Sequence, residues 1–251
     1  MVSRIAISLV IRDEFPRTLE MLKSLVASDL LNHEVGLFVK DNASVTPNFC
    51  DELKKVWPGS YDYDRYTTNK VNVLPRIEIM DEVLADPLGY AYLLEIHTDM
   101  LFPREWFAPL LSMIQHPKAG IVFPWILNNR RVLPEEIELL AGRHRETRKD
   151  INPTQVLPWL LKLEVVRKVG YYDPAYHPGR CEDDDFLYRM YQSGHLGIAS
   201  QDSVVAHQGG FHSYRRELLP PNQNEKIFQR KFGTTIEKFK TSHSVHPVIL
   251  V

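Results

Sequence analysis

Four carboxylates occupy consecutive positions of the chain, from Glu182 to Asp185, and an apolar segment with helical spacing follows at once until Gly194. Acidic side chains at the start of a helix are stabilised by the helix dipole, by about 0.3–1 kcal/mol each. Asp185 can also pair with Arg189 one turn later. These effects account for one or two acids, and four are harder to explain.

Neighbouring carboxylates repel one another, and this raises their pKa values. A carboxylate with a raised pKa can act as a general base near neutral pH. Two interpretations of Glu182–Asp185 therefore stand side by side. The run is either a charged helix start or part of a catalytic site.

A second polar group, His97-Thr98-Asp99, follows the apolar run YAYLLEI. Side chains two residues apart point to the same side of an extended backbone, so His97 and Asp99 could face one divalent cation. A carboxylate and an imidazole suit Mg²⁺ or Mn²⁺. The alternative is that Asp99 caps a helix predicted from Pro103 to Ile114.

His207 ends another apolar run and precedes Gln208-Gly209-Gly210. Paired glycines allow the backbone to approach a ligand or to turn sharply. His207 is either a further metal ligand or a structural hydrogen-bonding residue.

The elements that position these residues alternate between strands and helices. A continuous apolar run, such as Ile5–Ile11, is typical of a strand that is buried on both faces of a parallel sheet. Polar residues at the carboxyl ends of such strands lie where open α/β sheets bind ligands. The predicted strands are Ile5–Ile11, Val35–Val39, Tyr90–Ile96, Gly120–Ile126 and Ile198–Ala206; the predicted helices lie in 12–28, Asp51–Trp57, Val73–Ala85 and Pro103–Ile114; Tyr61–Tyr66 is predicted to be turn-like, and packed structure resumes over Leu160–Gly170.

Residues 128–152 contain seven basic side chains and only a modest helical pattern. This segment is predicted to be a basic insertion or lid, with a solvated surface helix as the alternative. We divide the single predicted domain at this point into residues 1–127 and residues 128–251.

The bulk properties exclude several classes of protein. The chain has 251 residues, a net charge of −2 and 25% charged residues, so no strong general attraction to nucleic acid or anionic membrane is implied. Cys50 and Cys181 have no zinc-binding spacing and are expected to be free thiols. No signal peptide or membrane-spanning run is evident, which predicts a cytoplasmic protein.

The order of the motifs resembles that of the GT-A glycosyltransferases, in particular the large inverting family 2. The resemblance extends from about residue 4 to about residue 233, and its specificity comes from the conjunction of loose motifs in one order. The segments that carry it are ISLVIRDEFPRTLEMLKSL, FVKDNAS, IHTDM in the place of a DxD-type triplet, EDDDFLYRMYQSG, VVAHQGGFHS and NEKIFQRKFG.

The resemblance implies a single GT-A, Rossmann-like α/β domain with a mostly parallel central sheet flanked by helices. It implies a glycosyltransferase that uses a nucleotide-diphosphate sugar, such as a UDP- or dTDP-sugar, and Mn²⁺ or Mg²⁺. Residues 1–127 would form the half that binds the nucleotide sugar, and residues 128–251 the half that binds a glycan or other hydroxyl acceptor.

The resemblance also implies roles for individual residues. Asp183 would be the general base, supported by Glu182. The remaining assignments place Asp41, Asn42, Arg76 and Asp99 at the donor, Asp99, His97 and His207 at the metal, and Asp184 and Asp185 at the acceptor.

The sequence departs from the family pattern in three places. Glu14, near the end of the first strand, stands where a Tyr-Asn or Thr-Asn pair is common in the loop that contacts the donor. His97 stands where the first Asp of the triplet is common, and the additional Asp184 leaves the choice of base between Asp183 and Asp185. The alternatives are a non-catalytic module that binds sugar or nucleic acid, and a nucleotidyltransferase. The loop RDEFPRT argues against a nucleotidyltransferase because it lacks a glycine-rich phosphate-binding turn.

Overall fold

The computed structural model describes residues 4–46, 48–87, 89–128, 132–147, 157–208 and 223–242. Its strands are β1 (Ile5–Ile11), β2 (Val35–Asp41), β3 (Ser60–Arg65), β4 (Tyr92–Ile96), β5 (Met100–Leu101), β6 (Ala119–Asn128), β7 (Trp159–Lys162) and β8 (Leu196–His207). Its α-helices are α1 (Phe15–Val26), α2 (Phe49–Val56), α3 (Val73–Ala85), α4 (Phe107–Ile114), α5 (Ile137–Thr147), α6 (Leu163–Val169), α7 (Glu182–Gln192), α8 (Gln223–Phe232) and α9 (Ile236–Ser242). Two short 3-10 helices are Asp29–Asn32 and Pro174–Tyr176.

The strands form one mixed sheet in the order β3-β2-β1-β4-β7-β6-β8-β5. The pairs β1–β2, β1–β4, β2–β3 and β6–β8 are parallel, whereas β7 is antiparallel to both of its neighbours and β5 is antiparallel to β8. The carboxyl ends of β1, β2, β4, β6 and β8 consequently meet at one edge of the sheet. The predicted single α/β domain with a parallel-rich sheet and flanking helices is confirmed.

The apolar runs that predicted strands are the ones that build the core. In β1 every residue except Val10 is buried, and β4 is buried throughout. Continuous burial is what a strand inside a helix-covered parallel sheet requires.

The prediction for Tyr61–Tyr66 was wrong, because residues Ser60–Arg65 form β3 at the edge of the sheet. Asp62 and Asp64 are exposed, while Tyr61 and Tyr63 are partly covered. Alternating charged residues are typical of an edge strand, where they discourage pairing with other chains.

The helix after β5 begins later than predicted, at Phe107. The Asp29 side chain caps the start of this helix. Its Oδ1 accepts hydrogen bonds from the backbone N–H groups of Trp106 and Phe107, and its Oδ2 accepts one from that of Ala108. The alternative role of Asp99 as the cap of this helix is therefore wrong.

Part of the basic segment is helical. Within α5, Ala141 is buried, and His144 packs against Trp125 with ring centroids 5.4 Å apart. Residues 129–131 and 148–152 lie outside the described residues. Among the helices that are described, none combines the length and the apolarity that crossing a bilayer requires.

Candidate active site

The predicted metal-binding residues come together at the carboxyl edge of the sheet. His97 and Asp99 follow β4, and His207 is the last residue of β8. One ligand atom from each of these three residues lies within 4.8 Å of the other two, and His207 Nε2 lies 3.4 Å from Asp99 Oδ1. The backbone supports this geometry, because Met100 pairs with His207 and the Gln208 amide donates to the Asp99 carbonyl at 2.8 Å.

This donor set fits a divalent cation. One carboxylate and up to two imidazoles suit Mn²⁺ and related metals, and the close approach of a carboxylate to an imidazole is what shared coordination requires. His97 also contacts a cation of the protein, because Arg76 Nη2 lies 2.8 Å from His97 Nε2. Arg76, assigned from the sequence to the donor site, therefore lies beside the metal-binding group.

Arg76 is held by a buried network that the sequence analysis missed. Its Nε lies 3.0 Å from Glu95 Oε1, and Glu95 is only 1% exposed. The hydroxyls of Tyr171 and Tyr172 donate to Glu95 Oε2 at 2.6 and 3.1 Å. Burial opposes the charge of Arg76, but Glu95 outweighs this effect and raises the pKa of Arg76, which stays cationic.

Asp41 and Asn42 lie at the carboxyl end of β2, separated from β4 by β1. Asp41 is buried, with Oδ1 accepting from the Ser44 amide at 2.9 Å and Oδ2 from the Tyr63 hydroxyl at 2.8 Å. The Asn42 amide group donates to the Val71 carbonyl. These bonds join the loop after β2 to β3 and to the segment before α3.

The loops around this edge contain backbone in the left-handed region. Among the described residues, the non-glycine residues with positive φ are Asp13 and Glu14 after β1, Ala43 and Asn48 after β2, Val71 before α3, and Arg180 and Cys181 before α7. A β-branched residue such as Val71 is rare at φ 58°. Such strain persists only where the surrounding structure imposes it, and it concentrates at ligand-binding sites.

The acidic run forms the first turn of α7, as the helix-start interpretation predicted. Asp185 is fully buried and accepts hydrogen bonds from Tyr176 at 3.0 Å, Arg189 at 2.6 Å and Lys231 at 2.7 Å. The predicted pairing with Arg189 is confirmed. Arg189 also donates to the backbone carbonyls of residues 169–171.

The other three acids differ in burial and partners. Glu182 and Asp184 are buried, and Asp184 Oδ1 lies 2.8 Å from Lys240 Nζ. Burial and the neighbouring Asp183 raise the pKa of Asp184, and Lys240 only partly offsets this. Asp183 is the most accessible of the four; its Oδ1 accepts from the Asp184 amide at 2.9 Å.

The acidic turn lies close to the Arg76 network. A Cβ built on Gly179 would lie 3.9 Å from both Glu182 Oε1 and Val73 Cγ2, so the beginnings of α7 and α3 adjoin. Burial and Glu95 raise the pKa of Tyr172, and the charges of Asp183 and Glu182 add to this effect; Glu182 also adds to the effect of Glu95 on the pKa of Arg76. Gly209 and Gly210, proposed to shape the site after His207, lie outside the described residues.

The C-terminal segment supports the loop before α7. Asn224 of α8 is buried and donates to the carbonyls of Tyr176, Gly179 and Arg180 at 2.8, 2.6 and 3.1 Å. Asn224, Phe228 and Lys231 belong to the segment NEKIFQRKFG singled out in the sequence. The resemblance to the family drew attention to this segment, but its residue pattern did not indicate that Asn224 would bond to the loop before α7.

Solved structures with a similar fold were found by structural comparison. The TarS fragment 1–349 of S. aureus aligns with TM-score 0.58 and 15% identity, over 81% of this chain and 60% of that one. GalNAc-T7, solved with UDP, GalNAc and Mn²⁺, gives TM-score 0.65 and 15% identity over 95% and 50% of the two chains. The mannosyltransferase PcManGT of Pyrobaculum calidifontis, in complex with GDP-Man and Mn²⁺, aligns with TM-score 0.65 and 16% identity. The alignment covers 98% of this chain and 69% of PcManGT.

At this identity the likeness establishes the fold, and the predicted GT-A fold is confirmed. The chain spans about half to two thirds of the length of these proteins. No protein-family model matches the sequence. No curated protein matches it either.

Proposed function

We propose that the protein is a metal-dependent, inverting glycosyltransferase that moves a sugar from a nucleotide-diphosphate sugar to an acceptor hydroxyl. The convergence of His97, Asp99 and His207 at the carboxyl edge of a GT-A sheet, beside Arg76 and the acidic turn of α7, carries this proposal. The three structural neighbours are glycosyltransferases, and two of them were solved with a nucleotide and Mn²⁺.

The donor would bind to the half formed by residues 1–127. Asp41 and Asn42 lie at the carboxyl end of β2, beside β3, where they could recognise the nucleobase. Asp99 and His207 offer metal ligands, and Arg76 offers a fixed positive charge for the diphosphate. When bound, the metal would offset the negative charge that develops on the departing diphosphate.

Asp183 would be the general base. Asp185 is fully enclosed by Tyr176, Arg189 and Lys231, and Asp184 is buried against Lys240, so their oxygens are engaged within the protein. Asp183 is the most accessible member of the run and follows Glu182 at the start of α7. This favours Asp183 over Asp185, the alternative that the sequence left open.

The reaction would then proceed in one displacement. The acceptor oxygen forms a bond to the anomeric carbon while the bond from that carbon to the diphosphate oxygen breaks. The hydroxyl proton goes to Asp183, and the bonding electron pair leaves with the nucleoside diphosphate. Attack on the face opposite the leaving group inverts the anomeric configuration. The acceptor would bind mainly to residues 128–251.

The test is to incubate the full chain with Mn²⁺, a panel of UDP-, dTDP- and GDP-sugars, and a panel of glycan acceptors. Release of nucleoside diphosphate together with an inverted anomeric product, observed by NMR, is the expected result. A separate incubation with nucleoside triphosphates and sugar 1-phosphates tests the alternative, because a nucleotidyltransferase would join them and release pyrophosphate. Acceptor binding in calorimetry, without nucleotide or metal binding, would identify a non-catalytic module.

A further inference from the structure

The hydrogen bond between Arg76 and His97 limits what His97 can bind. A guanidinium has only donors, so His97 Nε2, 2.8 Å from Arg76 Nη2, must be the acceptor. A neutral imidazole carries one proton, which this contact places on Nδ1. In this state neither ring nitrogen of His97 has a lone pair left for a metal.

Arg76 is not free to leave His97 easily. Its side chain is only 8% exposed, and its Nε is paired at 3.0 Å with Glu95, which is 1% exposed. Glu95 is in turn bonded to Tyr171 and Tyr172. Moving the guanidinium away would break a buried ion pair, which is strongly unfavourable.

Asp99 and His207 are arranged differently. His207 Nε2 and Asp99 Oδ1 lie 3.4 Å apart. The backbone bond from Gln208 to Asp99 and the pairing of Met100 with His207 hold the two residues together independently of His97.

We propose that His97 is held by its hydrogen bond with Arg76 and is not a metal ligand. Asp99 and His207 alone would then supply the protein ligands of the metal. This inference rests on the proposed function. It predicts that the free protein binds a divalent cation weakly, because diphosphate oxygens must complete the coordination shell. It also places the charge of Arg76 beside the metal, where it can contact the same diphosphate.

The first test measures Mn²⁺ affinity of the full chain by calorimetry and by electron paramagnetic resonance, with and without UDP or GDP. His97→Gln keeps an acceptor near the position of Nε2 and should leave the Mn²⁺ affinity within about threefold. Asp99→Asn and His207→Ala should each weaken binding about tenfold or more, since even groups that only orient a metal ligand are worth that much. A tenfold loss in His97→Gln would overturn the inference.

The second test removes Arg76, the side chain that occupies His97 Nε2 in place of a metal. Arg76→Met combined with Glu95→Gln avoids an unpaired buried carboxylate and releases His97 Nε2. Mn²⁺ affinity without nucleotide should rise relative to the wild type, and adding His97→Ala should abolish the gain. If this variant folds and shows no gain, the inference is wrong; if it does not fold, the His97→Gln comparison decides.

The two proposals fail in different ways. If the wild type binds no Mn²⁺ even in the presence of UDP or GDP, the proposed function fails and the inference fails with it. If the wild type binds Mn²⁺ with nucleotide but His97→Gln has lost that binding, only the role assigned to His97 is wrong.

Discussion

Lys231 Nζ lies 2.7 Å from Asp185 Oδ2, although the two residues are 46 positions apart in the chain. The same ammonium lies 2.7 Å from Asp173 Oδ2 in the loop before α7. One side chain of α8 therefore neutralises the most buried acid of the run and fixes the loop that leads into it. Together with Asn224, it makes α8 part of the support of the proposed active site.

Replacement of Lys231 by Met should lower the free energy of unfolding by about 1–2 kcal/mol, because Asp185 is buried and loses one of its donors while Arg189 and Tyr176 remain. Urea unfolding followed by circular dichroism measures this change. Lys226→Met, on an exposed position of the same helix, is the matched control and should change stability by less than about 0.5 kcal/mol. Equal effects of the two substitutions would contradict the supporting role of Lys231.

Asp183→Asn should lower the rate of sugar transfer by about 10²–10⁴-fold, the contribution typical of a general base. Because Asp183 is the most accessible acid of the run, binding of UDP or GDP and the urea midpoint should change little. Asp62→Asn removes one exposed carboxylate of the edge strand β3, outside the acidic turn, and serves as the control. A variant of Asp183 that retains most of the transfer rate would exclude it as the base.

Asp41→Asn should weaken nucleotide binding about tenfold or more. The substitution removes a buried charge and sets an amide NH₂ group against the Ser44 amide or the Tyr63 hydroxyl, both of which now donate. Tyr63→Phe removes one of these donors and leaves the carboxylate, so its effect should be smaller. Calorimetric titration with UDP and GDP measures both, and a larger effect of Tyr63→Phe would assign nucleobase recognition to Tyr63 instead.

The sequence predicted those features that depend on local pattern. The helix Val73–Ala85 has the predicted bounds, and β1 coincides with its apolar run, because periodicity and burial agree there. The charged and aromatic residues of the segment YDYDRY led to the prediction of a turn, although Tyr and Asp alternate in it as they do in a strand. That alternation is typical of an edge strand, and the pairing of β3 with β2 places it at the edge of the sheet.

The partners of the acidic residues could not be predicted from local pattern. Glu95 is bonded to tyrosines more than 70 residues later, and Lys231 and Lys240 reach the acidic turn from the last helices. Arg189 was predicted because it lies one helical turn from Asp185. The sequence therefore located the acidic turn, but the ranking of its four acids required the tertiary contacts.

The ion pair between Lys240 and Asp184 should make stability depend on pH in a defined way. The raised pKa of Asp184 means that its ionisation costs stability as the pH rises through the folded value. Burial opposes the charge of Lys240, but its bond to Asp184 raises the pKa of Lys240 above 10.5. The stabilisation from Lys240 is thus present below that value and is lost as the pH rises through the raised pKa.

Lys240→Met should therefore differ least from the wild type in acid, where Asp184 is protonated, and most near neutral pH, where both groups are charged. The difference should not exceed about 0.5–1 kcal/mol, because the Lys240 side chain is 51% exposed and solvent screens the pair. Urea unfolding of both proteins between about pH 4 and pH 8 measures the profile, with Lys238→Met on the same helix as the control. A difference that is constant across this range would show that Lys240 stabilises the protein by packing and not through the charge of Asp184.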